Sequence, residues 1–119
     1  MINQPFFHLA LSFIIVHEMD AIRCKEWRIL PGLSLLKDNL GYKVFIFIHI
    51  PLYSIIFWFL LNSQSRVGLI KGLDIFFIVH IGLHLLFLKH TENEFKGWIS
   101  WALILGAGLF GLVDLLVTY

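Results

Sequence analysis

The sequence predicts an all-α fold, an integral membrane four-helix transmembrane bundle with an interfacial first loop, forming one domain over residues 1–119. Composition is the first observation. The chain is 59% hydrophobic and 14% charged, whereas a soluble domain runs near half apolar and about a quarter charged. The mean hydropathy of +0.85 points the same way. The second observation is pattern: apolar residues run continuously, without the alternation that a membrane barrel strand needs.

Crossing a hydrocarbon core of about 30 Å takes about 20 helical residues. Four segments qualify, at about 5–24, 42–61, 69–89 and 97–118. The first begins with no Lys or Arg ahead of its apolar run, so it reads as a retained helix and not as a secretory signal. It ends impurely, with His17, Glu18 and Asp20. The second contains Pro51, which a membrane helix tolerates when neighbours satisfy the freed carbonyl of Phe47. The third carries His80 and His84, and the fourth a Gly106–Gly111 run whose Ala107 and Gly111 permit close helix approach. That run matches G-x-G-x-x-G in form alone, since no strand precedes it. Between the first two spans, Trp27, Ile29, Leu30, Leu33, Leu35 and Leu36 mix with Lys25, Arg28, Lys37 and Asp38. Such a segment suits the headgroup layer, broken at Pro31-Gly32.

Charge fixes an expected orientation. The first loop and its borders hold Arg23, Lys25, Arg28, Lys37 and Lys43, and the third loop Lys89 and Lys96. Only Arg66 and Lys71 lie at the second loop. The basic bias predicts loops one and three in the cytoplasm and both termini outside. The net charge of +1 and the absence of a basic stripe argue against nucleic acid. With Cys24 as the lone cysteine, an internal disulfide and a Cys-based zinc finger are excluded. The lipid bilayer is the expected partner, and a homo-oligomer or a larger membrane complex stays open.

Ionisable groups inside a span are costly and point to function by default. At 1.5 Å per residue, His17 and His49 lie about 10 Å from the basic ends of their spans, with His84 and His80 near that level. His80 and His84 are i, i+4 and share a stripe; His17 and Asp20 are i, i+3 and share a face. Two imidazoles plus a carboxylate from a second helix can close around a divalent cation, so His17, Asp20, His80 and His84 are the candidate metal ligands. Zinc suits this donor set, ahead of non-haem iron. Glu18 is the candidate general base and His49 a ligand or acid, making these two the candidate catalytic residues. The plainer reading is that the imidazoles are hydrogen-bonded packing between helices. Asp74 and Asp114 fall toward the other end, where a polar contact between helices is expected.

His17-Glu18-Met19-Asp20-Ala21, then Glu26-Trp27-Arg28 and the later His80-xxx-His84, resemble uncharacterised small bacterial multispanning proteins. One group of these is named for a His-x-x-Glu-Glu motif and carries a later His-xxx-His. Asp20 and Ala21 stand at the two glutamate positions of that motif. The His-xxx-His is also similar to seven-helix membrane metal hydrolases of the alkaline ceramidase and adiponectin-receptor kind. That similarity implies a buried metal-activated water and a lipid-like substrate. The leading expectation is therefore a metal-dependent membrane hydrolase. The alternatives are a haem-binding electron-transfer protein with axial histidines, and a non-catalytic subunit or channel whose polar cluster is structural.

Overall fold

A computed structural model describes residues 3–119. Four long helices follow one another: α1 (Pro5–Arg23), α2 (Asp38–Leu61), α3 (Arg66–Leu86) and α4 (Trp98–Thr118). Two short 3-10 turns, Glu26–Arg28 and Leu33–Leu35, lie between α1 and α2. Among the described residues there is no strand, and each of the four helices is long and apolar enough to cross a membrane. Three bounds differ by three or more residues from the sequence expectation, the start of α2 and both ends of α3, which begins at Arg66. Helix α2 begins at Asp38, because the carboxylate of Asp38 holds Trp27 and Arg28 at the helix start. Helix α3 stops at Leu86, where the chain turns through Phe87–His90.

The packing is uneven. Helix α1 packs chiefly on α4 and α4 on α3, while α2 meets the others mainly through α3 and the 3-10 turns. Close approach of α3 and α4 depends on glycine: a Cβ on Gly108 would sit 3.0 Å from the Phe77 carbonyl oxygen. One on Gly111 would sit 3.2 Å from the carbonyl oxygen of Asp74. Helix α2 instead exposes Phe47, Ile48, Ile50, Ile55 and Trp58. An apolar helix left bare on most of its surface is unstable in water and at home in lipid.

Two apolar clusters hold the bundle. One, at the basic end formed by loops one and three, joins Ala21, Trp27, Ile29, Phe45, Phe95 and Ile104. The other, toward the two termini, joins Phe7, Ala10, Ile14, Ile70, Phe77 and Ala107. The first loop is thus only partly superficial. Trp27 and Ile29 turn inward and are buried, while Leu35 and Leu36 stay exposed. Cys24 is buried as well, against Asp20, Arg23 and Ser100.

Candidate metal centre

Three imidazoles meet between the two apolar clusters. His17 projects from α1, and His80 and His84 from one stripe of α3. The ring centroids of His17 lie 4.7 Å from His80 and 4.9 Å from His84. Lys25 adopts a left-handed conformation at φ 52°, which reverses the chain after α1 and starts the 3-10 turn with Glu26. That reversal carries the Glu26 carboxylate back under the helices, where Oε1 lies 3.8 Å from His84 Nε2. His17, Glu26, His80 and His84 are all buried, and one ligand atom from each lies within 4.8 Å of the others. This group could hold a metal ion.

The donor chemistry fits a cation. Both nitrogens of His17, and Nδ1 of His80, are buried without a hydrogen-bond partner. An imidazole carries a donor and an acceptor, and leaving either unpaired in an apolar interior costs about 1–3 kcal/mol. The Nε2 atoms of His80 and His84 are 3.2 Å apart. Zinc–nitrogen bonds near 2.0–2.1 Å give a tetrahedral edge of about 3.3 Å, so this pair already has the required bite. Bringing Glu26 to the same edge takes a contraction of about half an ångström from its 3.8 Å contact with His84, and for the whole group, whose ligand atoms lie within 4.8 Å of one another, up to about 1.5 Å. Phe95 closes the basic end, its ring 5.4 Å from His17 and 4.6 Å from His84. It is held there by Trp101, whose Nε1 donates to the Phe95 carbonyl at 2.9 Å.

Glu26 is electrostatically unusual. Burial, reinforced by the charge of Glu18 and opposed by His49, pushes its pKa up to about 8. A carboxyl group so placed keeps its proton at neutral pH until a cation arrives beside it, and it then becomes a strong acceptor.

The expected residues divide. His17, His80 and His84 come together. Asp20 stands elsewhere: its carboxylate accepts from Arg23 Nε at 2.8 Å and from the Ser100 hydroxyl. An i, i+3 step moves a side chain about 60° around the helix and about 4.5 Å along it. Asp20 therefore falls to α4 and not to the imidazoles. His49 does not join the cluster either. Its Nε2 lies 2.9 Å from Glu18 Oε2, and its Nδ1 contacts the Phe45 carbonyl, so Glu18 and His49 form a half-buried acid–imidazole pair.

A cavity of about 330 Å³ connects the two groups, lined among others by Glu18, Glu26, His49, His80 and His84. A second space of about 260 Å³ is lined by Glu18, Ile14, Leu52, Ile56, Leu73 and Phe76, among others, and continues between α1, α2 and α3 toward the termini. Glu18, Leu52 and Phe76 border both spaces. The arrangement joins a polar end, with an imidazole cluster and an acid pair, to an apolar slot of membrane depth.

Sequence reasoning did not single out Glu26 as a site residue. Its signal was weak: a carboxylate in an otherwise basic and aromatic loop, nine residues after His17. Only the backbone reversal at Lys25 gives it meaning.

The chain belongs to a family of unknown function, DUF6713, whose model matches residues 3–119. No curated protein and no solved structure matches it.

Proposed function

We propose that this member of the family is a metal-dependent membrane hydrolase acting on a lipid-like amphiphile. The observation that carries the reading is the buried group of His17, Glu26, His80 and His84, opening on a cavity shared with Glu18 and His49. His17, His80 and His84 would hold the cation, zinc by preference. Glu26 would face the fourth coordination position, since a catalytic site keeps one open. A bound divalent cation supplies a water of lowered pKa and polarises the bond under attack. Glu26 would accept a proton from a water held there, a role suited to a group poised near the working pH. The Glu18–His49 pair, at the far wall of the same cavity, returns a proton to the leaving group. The apolar slot beyond Leu52 and Phe76 accommodates the hydrocarbon part of the substrate.

The imidazoles of facing helices pack ring against ring, His17 4.7 Å from His80 and 4.9 Å from His84 between centroids, with no gap for a porphyrin between them, which favours a bare ion over the haem reading. The lipid-facing α2 and the basic end favour an integral membrane protein with loops one and three cytoplasmic and both termini outside, and the resemblance to small bacterial multispanning proteins would place it in a bacterial inner membrane.

The test is a zinc-loaded preparation assayed against a panel of acyl esters and amides in mixed micelles, wild type beside Glu26→Gln. Hydrolysis by wild type, lost in Glu26→Gln while zinc is retained, is the expected result. Loss of zinc from Glu26→Gln would make the site a closed four-ligand structural one. Zinc-loaded wild type and variant that are equally inert would end the enzymatic reading.

A further inference from the structure

We propose that Asp74 of α3 and Asp114 of α4 form a proton-binding site, one proton held between two buried carboxyl groups at the terminal end of the bundle. Asp74 is 0% exposed and Asp114 1%. The Asp74 backbone packs on Gly111 of α4, one turn before Asp114, and because side chains lean toward the N-terminus of their helix the two carboxyl groups converge across this contact. The two helices come this close because residue 111 is glycine, on whose side the Asp74 backbone packs.

The partners of the two acids are unequal, and the inequality assigns the proton. Asp114 Oδ2 accepts from Gln4 Nε2 at 2.9 Å, and Oδ1 accepts from the backbone N–H of Phe7 at 3.1 Å. Phe7 lies in the first turn of α1, whose free N–H groups and helix dipole favour a negative charge. Asp114 is therefore the accepting member of the pair. Asp74 has no donor to either oxygen, though both are buried. An ionised carboxylate in that position would face a second negative charge with nothing to offset its lost hydration. Protonated, it becomes the donor that Asp114 still lacks on that side, as in carboxyl pairs that share one proton.

No cation replaces the proton among the described residues. Arg66, on the same helix, donates its Nε to the Leu60 carbonyl at 2.7 Å. Lys71 sits over the Tyr119 ring, 5.1 Å from its centroid. His8, on α1, is exposed and faces an outer pocket of about 270 Å³ that it shares with Gln4 and Arg66. None of the three pairs with either acid. Gln4 lines that pocket and also holds Asp114, so it links the buried pair to the pocket through which a proton would exchange.

Infrared difference spectroscopy on the full-length protein in detergent tests this site. A protonated carboxyl carbonyl band should be present at neutral pH, shift in D2O, and vanish in Asp74→Asn. Glu26 contributes a band of its own, so the comparison is made in Glu26→Gln protein, where the remaining acid band must come from the pair. Asp74→Asn should keep its thermal stability, because the amide can donate to Asp114 as the acid does. Asp114→Asn should lose stability, because an amide nitrogen would then confront the Gln4 or Phe7 donor. Absence of any acid band from Glu26→Gln protein at neutral pH would overturn the site without need of a folded Asp74 variant. Stability that rises with sodium in wild type and not in Asp74→Asn would assign the pair to a metal cation and also overturn it.

Discussion

The two ends of this bundle bury polar groups by opposite means. Toward the basic end, three imidazoles and one acid from α1, α3 and the first loop come together, and Glu26, His80 and His84 among them line a cavity. Toward the termini, two acids from α3 and α4 meet against packed helices. Neutral imidazoles can be buried at the price of unpaired ring nitrogens, which a cation could take as ligands. Carboxylates cannot be buried as a bare pair, and they must already carry a proton. The first site could gain a positive charge, and the second, as proposed, holds a proton in place. Helix packing follows the same division, since α2 stands off from the imidazole site while α4 seals the acid pair.

Activity should show the largest contrast. Removing a general base costs roughly 10²–10⁴ in rate, so Glu26→Gln should lower turnover of any accepted amphiphile by that order. Asp74→Asn should leave it within a small factor. Equal losses in a steady-state assay of the two variants would dissolve the distinction between the ends.

Stability against pH should separate them next. The folded pKa of Glu26 is raised to about 8 from 4.5, so the folded state binds the proton more tightly than the unfolded one. Its contribution is fully present below about pH 4.5 and is lost as pH rises through about 8. Metal-free Glu26→Gln should therefore melt higher than wild type at pH 8 and similarly at pH 4, by thermal scans in detergent. A wild type that gains stability between those values would contradict the burial argument. Zinc should narrow the difference, by drawing the carboxyl into its charged form.

A smaller effect is expected at the helix contact. Gly111→Ala places a methyl group 3.2 Å from the carbonyl oxygen of Asp74. Overpacking of this kind costs roughly 1–3 kcal/mol, and the loss should appear in denaturation without a change in metal content. A variant as stable as wild type would show that α3 and α4 can separate freely. Orientation is checked without any energetic effect. Cysteines at the exposed Ser63 and Thr91, in a Cys24→Ser background, should label from outside intact cells at Ser63 alone. Labelling at Thr91 from outside would reverse the topology.

The fold was legible because lipid imposes simple rules: a run of about twenty apolar residues has few alternatives to a helix. The imidazole cluster was legible for a related reason. His80 and His84 share a stripe whatever surrounds them, and helical rise alone matches the depth of His17 to theirs. Glu26 was not, because its position depends on one left-handed residue, Lys25, and on a loop that folds inward through Trp27 and Ile29. The assignment of Asp20 as a ligand failed to anticipate Ser100, a residue of another helix that competes for the same carboxylate. The pairing of Glu18 with His49 depends on how far α2 stands from α1, which no periodicity encodes.

Metal content is the most direct test of the central claim. Protein purified gently without chelators, then equilibrated with zinc and desalted, should carry one zinc per chain by elemental analysis. His80→Ala, His84→Ala and His17→Ala should each reduce it to background while remaining helical, and His8→Ala, exposed at the far end, should not. Wild type that retains no zinc or iron under these conditions, or His84→Ala that retains as much as wild type, would contradict the account and return the imidazoles to the role of helix packing.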